Sequence, residues 1–269
     1  MATRSQPQRR DEQPAYVLHT YAYRETSLIV EAFTAEYGRM AMVARGAKRP
    51  RSELRGLLQG FQPLLLSWSG AGELKTLQKA EWRGGLPLPG GSALLCGFYL
   101  NELLLKLLAR EDAHPQLYAH YESALAELVA GNDQAAVLRR FELTLLAELG
   151  YALPLAQDAE TGAAVEPAAR YHYALDRGPV RIGASGERNG AVANHMAAEP
   201  QRTPRGPRTV RGATLIALAQ RSFPDAETAA EAKRLMREVL DHYLEQRGIE
   251  SRRMVQDLQA LAGERSERE

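Results

Sequence analysis

The chain has 269 residues, with 34 Lys and Arg against 33 Asp and Glu, six histidines and a single cysteine. That length suits one large or two modest domains with real cores, and Cys96 alone excludes an intramolecular disulfide framework or a multi-cysteine zinc site. The formal net charge of +1 conceals a segregation: residues 1–100 carry 13 cations against 8 acids, 101–166 carry 4 against 11, and 167–269 carry 17 against 14, a pattern of separate surfaces for separate partners.

Residues 1–14 are polar, lack the apolar core of a signal peptide and read as a flexible tail. Short runs at 16–23, 28–34, 39–45, 61–69 and 74–82 read as strands, with turns at Ala35-Glu36-Tyr37-Gly38 and Ser69-Gly70-Ala71-Gly72-Glu73. Five short strands within 15–83 suit a small closed barrel, because closure removes exposed strand edges. The Gly- and Pro-rich stretch 84–91 is a linker.

A helical period follows over 92–150. Leu100, Leu103, Leu104, Leu107 and Leu108 form one stripe, Leu117, Tyr121, Leu125 and Leu128 a second, and Leu138, Phe141, Leu145 and Leu149 a third. The three helices are expected to bundle, stopping near Gly131 and Gly150. The apolar stretch 92–109 is broken by Asn101, Glu102 and Lys106, short of the ~20 apolar residues that span a bilayer, so no membrane is expected and the location reads as cytoplasmic. Residues 151–211 read as a small irregular or β module with strands at 171–175 and 179–182, and with disorder around 184–208. Over 212–262 helicity returns, at 212–221, then after Ser222-Phe223-Pro224-Asp225 with Leu235, Met236, Val239 and Leu240 in one stripe, and last at 251–261. These C-terminal helices are expected to pack on the bundle, leaving 263–269 as a tail.

Catalytic motifs are missing. There is no phosphate-binding glycine loop, no Gly-x-Ser-x-Gly elbow and no His-Glu-x-x-His, and the histidines are scattered. The informative segment is Arg45 to Arg55, where Arg45, Lys48, Arg49, Arg51 and Arg55 face one acid, Glu53, and Gly46, Pro50 and Gly56 oppose a helix. Such a loop can track a phosphate backbone by displacing condensed counterions. Arg39, Lys75 and Arg83 extend the expected DNA-binding set, and Tyr37, Phe61 and Trp68 are either base-stacking platforms or core. A second cationic run, 201–211, is either an auxiliary DNA contact or a solvated linker. On the otherwise acidic bundle, Arg139 and Arg140 beside Leu143 offer cations next to an apolar ridge, where an acidic peptide with an aromatic end would dock, unless they pair with Glu102 or Glu142.

These residues also carry a family resemblance. Glu25-Thr26-Ser27-Leu28, Gly38-Arg39, Val43-Ala44-Arg45-Gly46-Ala47, Leu54-Arg55-Gly56 and Pro63-Leu64-Leu65-Leu66 are similar to the N-terminal domain of the RecO family of bacterial recombination mediators. The series continues in the family's order through Gly72-Glu73-Leu74-Lys75, Asn101-Glu102-Leu103-Leu104, Leu138-Arg139-Arg140-Phe141-Glu142-Leu143 and Phe223-Pro224-Asp225, with a poor match at roughly 157–211. The resemblance implies an α+β chain: a five-stranded OB-fold β-barrel, then an α-helical domain. It implies a non-enzymatic role in repair and recombination, binding single- and double-stranded DNA, annealing complementary strands and, with the partner RecR, promoting RecA loading on strands coated by single-strand-binding protein (SSB). The acidic SSB tail would meet Arg139, Arg140 and Leu143. Some members carry a four-cysteine zinc module after the third helix. Here Gln157-Asp158-Ala159-Glu160-Thr161-Gly162 has no cysteine, so a degenerate insertion without zinc or other cofactor is expected. Two other readings remain: a nucleic-acid-cleaving hydrolase, which would need clustered carboxylates such as Asp225, Glu227 and Glu231, and a scaffold that binds only protein.

Overall fold

Alternating apolar residues in the first third of the chain close five strands into a barrel in the computed structural model, which describes residues 9–85, 87–183, 209–244 and 248–254. The strands are β1 (Arg9–Tyr23), β2 (Ser27–Thr34), β3 (Gly38–Ala44), β4 (Pro63–Ser69) and β5 (Leu74–Trp82), with a one-turn helix α1 (Leu54–Leu57) between β3 and β4. Their order around the barrel is β1-β2-β3-β5-β4. All neighbours are antiparallel except β3 and β5, where Val43 pairs with Thr76 in parallel. Val17, Val30, Ala32, Met42, Leu64, Leu66 and Trp68 fill the interior. This is the OB-like barrel that closure of five short strands was expected to give.

The strand boundaries correct the reading of 1–14 as a tail. β1 begins at Arg9, because Arg9 and Arg10 pair with Ser69 and Trp68 across a register shift that ends at Gln13. Within that shift Glu12 takes φ +51, and its N–H donates to the Ser67 hydroxyl. Backbone pairing through a bulge leaves no apolar alternation in the sequence. Residues 1–8 lie outside the described residues.

Helices α2 (Gly91–Leu107), α3 (Pro115–Val129) and α4 (Gln134–Glu148) follow, the last capped by Asp133, whose carboxylate accepts the Ala135 N–H. The stripes face inward, with Leu100, Leu103, Leu104, Leu117, Tyr121, Leu125 and Leu128 buried, although α4 turns Val137 rather than Leu138 fully inside. Residues 83–85 and 87–90 have no regular structure, yet barrel and bundle are joined by an aromatic cluster. Tyr16 and Phe33 meet Tyr118 and Tyr121 with ring centroids 5.2–6.1 Å apart. The buried Asn101 donates to the Leu18 carbonyl and accepts from the Tyr121 hydroxyl.

The chain divides into two compact units, Met1–Leu149 with Leu244–Glu269, and Gly150–Tyr243. The second holds a small sheet of order β7-β6-β8, made by β6 (Arg170–Ala174), β7 (Gly178–Arg181) and β8 (Thr209–Arg211), with helices α5 (Gly212–Gln220) and α6 (Ala226–Tyr243). Strand β8, absent from the sequence reading, is three residues long and has one apolar residue, Val210. In the cysteine-free stretch 157–162, the Asp158 carboxylate is the hub of a tight turn. It accepts the N–H groups of Glu160 and Thr161, the Thr161 hydroxyl, and the Arg181 N–H at 2.6 Å. The first unit resumes with a helical turn at 250–254. The expected disorder at 184–208, the end of the last helix and the tail at 263–269 lie outside the described residues.

Candidate nucleic-acid interface

The cationic segment leaves β3 at Arg45 and is folded as a succession of turns. Gly46 takes φ +70, a conformation cheap only for glycine, and its carbonyl accepts the Arg49 N–H. Ser52 then donates to the Arg49 carbonyl and Arg55 to that of Ser52. Arg55 and Gly56 stand on α1, so the expectation of a helix-free loop is corrected over one turn. Apolar residues pin the segment from beneath: Ala47 and Leu58 are buried, and Leu54 and Leu57 pack against the barrel core. Arg45, Lys48, Arg49, Arg51 and Arg55 are consequently all exposed. None of the five forms an ion pair with a described residue. The Lys48 N–H donates to the Thr26 carbonyl at 2.9 Å, which fastens the segment to the β1–β2 turn.

The other expected contacts lie elsewhere. Arg39 is held inside, its guanidinium donating to the Leu105 carbonyl and standing 3.7 Å from Glu31, a buried carboxylate that also pairs with Arg110. Burial lowers the Arg39 pKa, and Glu31 opposes that shift. Lys75 is buried and paired with Glu111 at 2.8 Å. Both side chains therefore brace the barrel, correcting their placement among surface cations. Arg83 is half-exposed and faces Glu122 at 3.6 Å. The stacking question resolves against two candidates, since Trp68 is in the core and Phe61 is buried against Phe98. Tyr37 lies edge-on to Trp68 under Arg10.

Other aromatics are exposed, among them Trp82 of β5 at 61%, Tyr21 of β1 at 48%, Tyr151 and Phe98. On β1, His19 and Tyr21 are exposed and Tyr23 partly so, and the His19 and Tyr21 rings meet at 4.5 Å. The Arg24 guanidinium lies 5.1 Å from the Tyr23 ring. The signal was present in the period-two run His19-Thr20-Tyr21-Ala22-Tyr23.

On the bundle, Arg139 and Leu143 are buried and Arg140 is partly exposed. Arg139 pairs with the fully buried Glu142, and Arg140 with Glu127 of α3. The Tyr99 hydroxyl donates to Glu142 at 2.6 Å, and the Arg252 guanidinium lies over the Tyr99 ring at 5.5 Å. Burial pushes the Glu142 carboxyl up, while Arg139, Tyr99 and Arg252 pull against it.

The carboxylates that a cleavage reaction would need are engaged locally. Asp225 accepts the Thr228 N–H at the start of α6, Glu227 pairs with Arg211, and Glu231 accepts from Arg211 and Thr214. Among the described residues no three His, Cys, Asp or Glu side chains are grouped to hold a metal ion. Arg211 is the one described cation of the run at 201–211, and it faces these acids; 201–208 lie outside the described residues. No helix among the described residues is long and apolar enough to cross a membrane.

The molecule is thus an OB-like barrel followed by a helical domain, with an exposed cationic segment next to the β1–β2 turn. Residues 10–86 match the family model described as Recombination protein O N terminal, and residues 90–253 match Recombination protein O C terminal. The chain belongs to the RecO family of DNA repair proteins. It is 49% identical to DNA repair protein RecO of Aromatoleum aromaticum over 96% of this chain and 100% of that protein. It is 51% identical to that of Dechloromonas aromatica over 93% of this chain and 97% of that protein, and 48% identical to that of an Azoarcus species over 94% and 98%.

Proposed function

We propose that the chain binds single- and double-stranded DNA through the 45–55 segment, anneals complementary strands and, with RecR, promotes RecA loading on SSB-coated single strands, working at the nucleoid in the bacterial cytoplasm without bond-making chemistry of its own. The observation that carries this reading is the group Arg45, Lys48, Arg49, Arg51 and Arg55, exposed together and free of carboxylate partners among the described residues. Annealing is limited by repulsion between phosphates, and a surface that neutralises that charge accelerates it without a catalytic group. Arg83 joins only by exchanging Glu122 for a phosphate. An acidic SSB tail on the bundle rests on family membership together with Arg139 and Arg140. Each of these already meets a carboxylate, so the tail binds by exchange with Glu142 or Glu127.

The test is strand annealing with naked and SSB-coated strands across a salt series. Acceleration on both, fading as salt rises, supports the reading. Absence of acceleration on either would sink it, and strand cleavage in magnesium would favour a hydrolase instead.

A further inference from the structure

We infer that the outer face of β1, carrying His19, Tyr21 and Tyr23, receives the bases of a DNA single strand whose phosphates run over the 45–55 segment. This rests on the nucleic-acid reading above and adds the surface that tells single strands from duplex.

The register places the face. Thr20 pairs with Val30 of the barrel core, so the alternate residues His19, Tyr21 and Tyr23 lie on the other face of the strand, where His19 and Tyr21 are exposed and Tyr23 partly so. Tyr21 pairs with Ile29, and Ile29 pairs with Val43, both partly exposed. Two strand spacings put Val43 about 10 Å from Tyr21. Arg45 comes two residues after Val43, roughly 7 Å further along the strand direction. At the other corner, Thr26, three residues past Tyr23, accepts the Lys48 N–H. An aromatic and apolar strip therefore shares an edge with five exposed cations.

Charge selects the occupant. Cations without carboxylate partners next to exposed rings suit a polyanion that also offers flat π faces. Single-stranded DNA does so, whereas in a duplex the base faces are already stacked. The His19 and Tyr21 rings meet at 4.5 Å with planes 62° apart, and Tyr21 remains 48% exposed.

The experiment measures binding of a fluorescent oligothymidylate and a matched duplex to the full chain by anisotropy, over a salt series. Tyr21→Ala is expected to weaken single-strand binding roughly 5- to 100-fold at fixed salt. It should leave duplex binding and the slope of log K against log salt unchanged, while Tyr21→Phe retains affinity. Arg49→Ala with Arg51→Ala is run in parallel and should flatten the slope. If that pair flattens the slope but Tyr21→Ala leaves single-strand affinity intact, the stacking face is overturned and the DNA reading stands; this is the result expected if the face serves a protein partner. Equal weakening of single strand and duplex by Tyr21→Ala also overturns it. If neither variant set changes binding, DNA is held elsewhere than on the 45–55 segment, and the stacking face falls with that placement.

Discussion

A methyl group on Gly38 would lie 1.7 Å from the Asp112 carbonyl oxygen, and the backbone there has φ +64. The turn between β2 and β3 is pressed against the segment after α2, where Glu111 donates its N–H to the Arg39 carbonyl. Gly38→Ala should therefore cost at least about 1–3 kcal/mol from the left-handed backbone alone. A urea midpoint equal to that of the parent would show that the turn can move away. The turn was legible in Ala35-Glu36-Tyr37-Gly38, but the Asp112 contact was not, since no local pattern reports a neighbour so distant in the chain. Asp158 is a second residue whose role is invisible in composition. Burial resists its charge, but donors from Thr161, Arg181 and Glu160 outweigh burial and hold its carboxyl below the usual aspartate range. A depressed folded-state pKa gives stability that is complete above the unfolded value, near 4, and is lost as pH falls through the folded value. Asp158→Asn should cost about 1–3 kcal/mol at pH 7 and progressively less in acid, measured by urea unfolding at pH 7 and pH 3. An equal cost at both would show that the negative charge does not matter.

Among the elements, the return segment at 248–254 is held by side chains of α2, with Glu102 at the centre. The Glu102 carboxylate accepts the N–H groups of Glu250 and Ser251 and the Ser251 hydroxyl, and it pairs with Lys106, which also reaches the Gly248 carbonyl. This is helix capping supplied from elsewhere in the chain, and a side-chain cap contributes about 1 kcal/mol. Glu102→Gln should raise amide exchange at Ser251 about 5- to 10-fold while Leu103 and Leu104 stay protected. Unchanged exchange at Ser251 would show that other contacts hold the turn. Strands β2 to β5 and helices α2 to α6 were readable because each turns apolar residues into a core and so prints a pattern on the sequence. The first residues of β1 and all of β8 were not, because charged Arg9 and Arg10 and the short Thr209–Arg211 are held by backbone pairing.

At the scale of the whole molecule, a net charge of +1 hides two kinds of described cation: five exposed together on the 45–55 segment, and others, such as Arg39 and Lys75, matched by acids. Single-strand binding should lose about 0.7 in salt slope for each phosphate contact removed. Arg49→Ala with Arg51→Ala is thus expected to flatten the slope by about 1.4, with thermal stability unchanged. Arg39→Ala should do the reverse, lowering the melting temperature and leaving the slope alone; a flattened slope would place Arg39 at the DNA. The sequence reading located the loop because an excess of charge over eleven residues is a local property. It grouped Arg39 and Lys75 with that loop because their partners, Glu31 and Glu111, are recognisable only after folding.

The return of residues 248–254 to the first unit also sets an order of events during synthesis. Barrel and bundle are complete in sequence by residue 149, but the donors for Glu102 emerge roughly 100 residues later, about 5–20 s at ordinary translation rates. Through that interval the nascent first unit presents Glu102 and Tyr99 without Ser251 and Arg252, and the ribosome must finish the inserted unit before this face of α2 can close.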